Sequence, residues 1–420
     1  MPFRKYIFVF SGLVGGGLLL LAGFNFVVDP YDAMGWRIAG ITPQKPAMED
    51  RTKFAKPFIV LRMRPAAVVL GTSRPAHALR MDHPCWGPSD RPGYNFAVEG
   101  TTFYETLRML EHAAAAGRLR LAVVELDPNS FFSGRKFRDD FDEAILVGRG
   151  HSRFAAYLAY AKALISLQMT RASVFTLLNQ TAVELVDAAG RRVDQSFDRM
   201  VSKAGGQRSL FLKVETVGYI RPLLIEDSVA QWRPGNNDAL APYNYLREMI
   251  AFARANNIDL RFYISPVHAR QLEIYRVLGL SESFDAWKRA IVEILDEDAN
   301  SNPGRMPFAL WDFSGYNVIT EESLPAVGDS HARMHSYWEA THYTSSVGDL
   351  ILSRLLGCSS STRQEVGDFG AQLTARNIDA HLRESRVAGE QYRQSHPEDV
   401  AEIDAAVAVV RRELADRADY

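Results

Sequence analysis

The stretch VVLGTSRPAHAL, Val68–Leu79, decides how the chain is read. Together with the two alanines before it, AAVVL at 66–70 is a short, wholly apolar run, the pattern of a buried strand. It ends in GTSRP, a turn signal, and Ser73 falls at the start of a helix. In an open parallel sheet, ligands bind beyond the carboxyl ends of the strands. A serine hydroxyl in that position is exposed, Gly71 permits the tight turn, and nearby backbone N–H groups can hold an oxyanion. Serine is also well suited to a plain helix N-cap, and local spacing alone favours that role.

Outward from this stretch, apolar runs and helical periodicity alternate. Thr101–Ala116 reads as a helix stopped by Gly117, Leu119–Leu126 as a strand, Tyr243–Asn256 as a helix and Ile258–Ile264 as a strand. A helical stretch follows over His268–Ala299, then a short strand at Phe308–Phe313 and a helix at Thr344–Leu356 ended by Gly357. Strands alternating with helices imply parallel βαβ units, hence an α/β three-layer core with a mostly parallel sheet over residues 65–357. The stretch at about 130–240, with helical pieces around 152–190, is an insertion into that core. Ser359–Thr362 reads as a linker. Residues 363–420 read as a charged helical tail, with Pro397 starting the last helix, forming a hairpin or a partner-binding appendage.

Before the core, Tyr6–Val28 carries no charge, and Asn25 is its only strongly polar side chain. At about 1.5 Å per residue the run is long enough for a hydrocarbon core of about 30 Å. Arg4 and Lys5 precede it, while Asp29 and Asp32 follow, so the positive-inside bias puts the N-terminus in the cytoplasm and the bulk across the membrane. A cleaved signal peptide competes, but the run exceeds the usual apolar region of about 7–15 residues and no A-x-A-like site follows it. Residues 29–64 then read as a stalk and lead-in. The formal net charge of −2 gives no reason to expect a nucleic-acid partner. Two cysteines, Cys85 and Cys358, exclude a disulfide scaffold. They stand as isolated thiols or, outside the cytoplasm, form one bridge.

A serine hydroxyl is a poor nucleophile near pH 7 and needs a base. Of the ten histidines His342 is best placed, in YWEATHYTSSVGDLIL just before the last core helix, with Glu339 three residues earlier to hold the imidazole in one tautomer. His331 and His335, with Asp329 nearby, have the spacing of a metal pair on a helix, but HExxH is absent and a surface loop or helix face is the simpler account. No metal and no cofactor are expected. His268, in YISPVHARQL, lines the same rim or simply begins a helix.

Taken together, NFVVDPY at 25–31, VVLGTSR at 68–74, YNFAVEGTTFYE at 94–105 and the His342 block resemble the SGNH (GDSL-like) hydrolase superfamily. They are closest in kind to its membrane-anchored bacterial branch, related to alginate O-acetylation and other cell-envelope acyl-transfer proteins. The resemblance implies a three-layer α/β/α fold and a triad of Ser73, His342 and an acid three residues before the histidine. It also implies oxyanion or substrate contacts from Gly100, Asn95 and Asn129. Three departures stand out: GTSR replaces GDS, glutamate replaces aspartate at 339, and no GxND is present. Asp329 or Asp312 is the alternative acid, and LDPNSFF at 126–132 offers Asp127 or Asn129 in place of the third block. The implied protein is a single-pass inner-membrane serine esterase or O-acetyltransferase, with its bulk in the periplasm. Its substrate is an acylated glycan or small molecule, and a membrane acyl-transfer protein is a possible partner. A non-catalytic glycan-binding or scaffolding module on the same fold is the rival, and a metal hydrolase at Asp329, His331 and His335 is a weaker third.

Overall fold

A computed structural model describes residues 2–131, 136–225, 241–358 and 369–418. Six strands form one sheet: β1 (Ala67–Leu70), β2 (Gly93–Asn95), β3 (Leu121–Leu126), β4 (Asp259–Ile264), β5 (Ala309–Asp312) and β6 (Ala371–Leu373), in the order β2-β1-β3-β4-β5-β6. The first five run parallel and β6 is antiparallel to β5. The fold is therefore α/β with a mostly parallel, mixed sheet. Both β1 and β3 are buried at every residue, because neither face meets water. Val68, Leu70, Ala122, Val124 and Phe262 point into one apolar core, whereas Ala67, Val69, Leu121, Val123 and Tyr263 point into another. This period-2 division explains why continuous apolar runs, rather than alternating ones, mark these strands. The two edge strands have only three residues each, and short edges are poor templates for unwanted pairing.

The helices before β4 are α1 (Pro2–Val28), α2 (Thr52–Met63), α3 (Ser73–Ala78), α4 (Phe103–Ala115), α5 (Pro128–Phe131), α6 (Arg153–Ala163), α7 (Leu167–Leu178), α8 (Gln195–Ala204), α9 (Gln207–Val214), α10 (Arg221–Ile225) and α11 (Ala241–Asn256). After β4 come α12 (Ala269–Val277), α13 (Ser281–Ser301), α14 (Ser345–Leu356), α15 (Ile378–Ser395) and α16 (Pro397–Ala418). Within the described residues α1 is long and apolar enough to cross a membrane. The single helical stretch expected over His268–Ala299 is two helices, parted at Gly279, whose φ of +74° ends α12.

Two boundaries differ from the sequence expectation. Residues 29–64 are more than a stalk: Ala55, Phe58, Ile59 and Val60 of α2 are core residues. Charged neighbours and Pro57 inside the helix hid this in the sequence. The tail is likewise not a separate helical appendage. Its β6 completes the sheet, and Ile378, Leu382, Ile403, Val407 and Val410 enter the main core. A three-residue strand has no readable period, and these apolar positions are spaced among charges. The expected linker at Ser359–Thr362 lies outside the described residues. Cys85 and Cys358, left open by the sequence, are joined in a disulfide that ties the loop after α3 to the end of α14.

That pair of helices carries the site, and Gly348 sets their spacing. A Cβ there would overlap the carbonyl of Ala78, so α14 approaches α3 as closely as backbone allows. Gly348→Ala is expected to lower the unfolding free energy by ~1–3 kcal/mol through overpacking. Urea unfolding followed by circular dichroism measures this, and an unchanged midpoint would mean that the two helices have room to part.

Candidate functional site

At the end of β1 the chain turns sharply over the end of β3. Gly71 has a φ of +141°, and a side chain there would collide with Glu125. Glu125 is buried among apolar strand residues, and its carboxylate is fully used. Oε2 accepts from the Thr72 backbone N–H and from the Thr72 hydroxyl, both at 2.7 Å, and Oε1 accepts from the Ser265 hydroxyl at 2.5 Å. Thr72 thereby occupies the N-cap position without a side-chain cap bond, and Ser73 is the first residue of α3. The N-cap role open to Ser73 in the sequence thus falls to Thr72, and the Ser73 hydroxyl is directed elsewhere.

It meets His342: Ser73 Oγ lies 2.6 Å from His342 Nε2. His342 is not on a helix with Glu339 but in a tight turn. The Trp338 N–H donates to the His342 carbonyl at 2.8 Å, Tyr337 and Tyr343 bridge antiparallel, and α14 starts two residues later after Thr344. The turn folds Glu339 back beneath the imidazole, where its Oε1 contacts His342 Nδ1. The same carboxylate accepts from the backbone N–H groups of His342 at 3.1 Å and Thr341 at 3.2 Å. Burial alone would raise the Glu339 pKa, but His342, these donors and Arg74 outweigh it and hold the carboxyl below its usual range.

The insertion braces this turn. The Tyr219 hydroxyl lies 2.6 Å from that of Thr341. Gln207, fully buried on α9, donates to the Tyr337 carbonyl at 2.6 Å and accepts from the Met334 N–H at 2.7 Å. Phe197 on α8 stacks on Trp338, with centroids 5.3 Å apart and planes within 6°. It also packs on His342 and on His77. Beneath Ser73, Arg74 is buried against Asp127 at 3.1 Å and Glu125 at 3.6 Å. Burial opposes its charge, but the two carboxyls keep its pKa well above the ordinary value.

Ser73, His342 and Glu339 are thus in hydrogen-bonded series, while the other named residues fall into different places. Asn95 is wholly buried, and its amide donates to the carbonyls of Pro75 and Leu79, both at 2.7 Å, so it fastens α3 to β2 rather than facing a ligand. The Asn129 amide is turned to Asp127 at 3.3 Å, beside the Arg74 pair. Gly100 has a φ of +64° with open space where a side chain would stand, and its carbonyl accepts from Arg138. Asp312 is committed to Lys288 at 2.7 Å and His381 at 2.9 Å, and Asp329 caps the N–H groups of His331 and Ala332 in an exposed loop. Neither alternative acid touches His342. His331 and His335 are in that loop, not on a helix. His268 N-caps α12 and bonds the Glu322 carbonyl at 2.7 Å, so it begins a helix. Glu125, Arg74, Gln207, Phe197 and Tyr219 were missed by the sequence reading. Only Glu125 had a signal there, as the one charge inside the apolar run LAVVEL.

Comparison with protein-family models, with curated proteins and with solved structures finds no match. What the site can do therefore rests on its geometry. A hydroxyl in contact with an imidazole, itself backed by a buried carboxyl, can pass its proton to the ring as it attacks an electrophile.

Burial pushes His77, His112 and His268 down to about 4. In the unfolded chain each takes a proton near 6.5. Between those values the unfolded state binds more protons, so stability is full above about pH 6.5 and declines as the pH falls toward 4. Urea midpoints measured stepwise from pH 7 to 5 should fall, and His77→Gln should flatten the slope. A constant midpoint over that range would contradict the buried, neutral assignment.

Proposed function

We propose that this chain is a membrane-anchored serine esterase or O-acetyltransferase of SGNH-like type, acting on acyl esters of an envelope or exopolysaccharide glycan. The observation that carries it is the Ser73–His342 contact of 2.6 Å, with Glu339 against the far ring nitrogen. Ser73 Oγ attacks the acyl carbonyl while His342 Nε2 takes its proton, and Glu339 stabilises the imidazolium. His342 then returns that proton to the departing sugar oxygen, leaving an acyl group on Ser73. Water or a second sugar hydroxyl, deprotonated by His342, removes the acyl group and regenerates the serine. With the amides of Asn95 and Asn129 engaged elsewhere, the oxyanion falls to the backbone N–H groups of Ser73 and Gly100. The first N–H groups of a helix have no acceptor within it.

A sheet with an apolar core on each face supports the three-layer α/β/α reading. The apolar α1 with Arg4 and Lys5 before it supports a single-pass inner-membrane anchor whose N-terminus is cytoplasmic. The Cys85–Cys358 disulfide fits a bulk outside the cytoplasm, where such bonds persist. One observation favours the rival, a glycan-binding or scaffolding module: neither asparagine proposed for the oxyanion is free to reach it.

A serine-reactive fluorophosphonate should label the purified protein, and Ser73→Ala should abolish labelling. Glu339→Gln should keep the melting curve and lower turnover of a chromogenic acetyl ester by several orders of magnitude, on the order of 10⁴-fold. Absence of labelling in a natively folded protein would hand the site to the binding-module reading. Independently, a phosphatase that works only outside the cytoplasm, fused after Tyr420, should be active; a stable but silent fusion would reverse the orientation.

A further inference from the structure

The last turn of α1 is not free. Asn25, fully buried, donates through its amide to the Leu164 carbonyl at 2.7 Å and to the Thr170 hydroxyl at 3.0 Å, which seats the anchor where α6 passes into α7. With 27 residues, α1 measures about 40 Å, longer than a hydrocarbon core of about 30 Å, so its final turns reach the interfacial layer. The α6–α7 junction is therefore held at the depth of the bilayer surface.

Its solvent-facing side suits that depth. On α7, Leu167, Val174, Phe175 and Leu178 are exposed at spacings of seven, eight and eleven residues, one stripe of a helix, with Leu167 65% and Leu178 78% exposed. Thr170, which receives Asn25, borders that stripe. On α6, Phe154 and Leu158 make a matching stripe. From Ser152 to Val183 the chain has no aspartate or glutamate, although the whole chain has 50 acidic residues in 420. The same stretch carries Arg153, Lys162 and Arg171. Trp36, half exposed, packs edge-on against Phe26 of α1 at 5.7 Å, the place where an interfacial aromatic sits.

We propose that the α6–α7 segment lies in the interface of the bilayer that α1 crosses, with its apolar stripes in the outer acyl region and Lys162 and Arg171 among anionic headgroups; Arg153 is turned inward to the carbonyls of Ala115 and Ala116. This rests on reading α1 as a membrane anchor. Continuity with the anchor names the lipid as occupant, and the absence of acids fits a negatively charged surface. The insertion then has two ends: α6 and α7 hold the lipid, while α8, α9 and Tyr219 brace the His342 turn. The α6–α7 segment would fix the height of the Ser73 rim above the membrane.

The test uses the full chain in vesicles of mixed zwitterionic and anionic phospholipid, with a nitroxide on one introduced cysteine at a time, since Cys85 and Cys358 are paired. Labels at Leu167→Cys and Leu178→Cys should collide with oxygen several-fold more than with a water-soluble nickel chelate. A label at Val387→Cys, exposed on α15, should favour nickel, and one at Leu19→Cys in α1 should favour oxygen most. Lys162→Glu with Arg171→Glu should raise nickel access at Leu178→Cys in these vesicles. If positions 167 and 178 match 387 while 19 reports lipid, the α6–α7 segment is in water and the proposal fails with the anchor intact. If 19 also favours nickel, the anchor reading itself fails and the proposal with it. If 167 and 178 are shielded from both reagents, protein covers the face, and a second copy or a membrane partner replaces the lipid.

Discussion

Everything around the site depends on satisfying one buried carboxyl. Glu125 stands at the carboxyl end of the central strand β3, where an unpartnered charge would cost several kcal/mol. Its partners come from the end of β1 (Thr72, by backbone and hydroxyl), from just past β4 (Ser265) and from α3 (Arg74). Meeting that requirement fixes where β1 stops, which way the chain turns and where α3 starts. Threonine in the GTSR block, a departure from GDS, belongs to this arrangement, because its hydroxyl supplies one of the donors that Glu125 needs. The exposed position of Ser73 is a consequence of satisfying the residue below it.

The second half of the site reaches the serine by close approach and is then steadied from outside the sheet. Gly348 lets α14 settle onto the backbone of α3, and the turn before α14 carries His342 to the serine. A turn of this kind, with Glu339 bonding its own successors, is fixed internally at only a few points. Gln207, Phe197 and Tyr219 supply the rest from the insertion, through hydrogen bonds to the turn and an aromatic stack on Trp338. Since reaction geometry tolerates little displacement, the insertion would be part of the positioning machinery of the proposed reaction.

The legible parts of the sequence were those governed by local pattern. Wholly buried runs marked β1 and β3, where Glu125 is the one charge, and mainly apolar runs marked β4 and β5. The three-residue spacing of Glu339 and His342 was legible too, although the element is a turn rather than a helix. Where the contact partner decides the outcome, local pattern was silent. The strands β2 and β6 are too short to show a period. Lys56 looks like a surface residue yet is fully buried, donating to the carbonyls of Asn95 and Ala97. Asn95 was read as an oxyanion or substrate contact, but the carbonyls of Pro75 and Leu79 claim its amide first. No short-range signal links Tyr219 or Gln207 to a turn more than a hundred residues away.

The electrostatics of two buried carboxyls give the proposed chemistry its direction. Glu125 and Glu339 both lie within the influence of one buried cation, Arg74, but they respond differently. Burial dominates at Glu125 and raises its pKa, whereas at Glu339 contact with His342, the Thr341 N–H and Arg74 outweigh burial and hold it below its usual range. Environments that drive like groups apart assign them different tasks. The Glu339 carboxyl lies against Nδ1, on the side of the imidazole away from Ser73, where it would favour an imidazolium without opposing the oxyanion at close range. A glutamate, one methylene longer than aspartate, can serve here because the turn doubles back. Its carboxylate closes the turn through the N–H groups of Thr341 and His342 and meets Nδ1 from the same position. Fold and proposed catalysis place the same demand on Glu339: Oε2 holds the Thr341 N–H while Oε1 meets both the His342 N–H and Nδ1, so each oxygen has its own task.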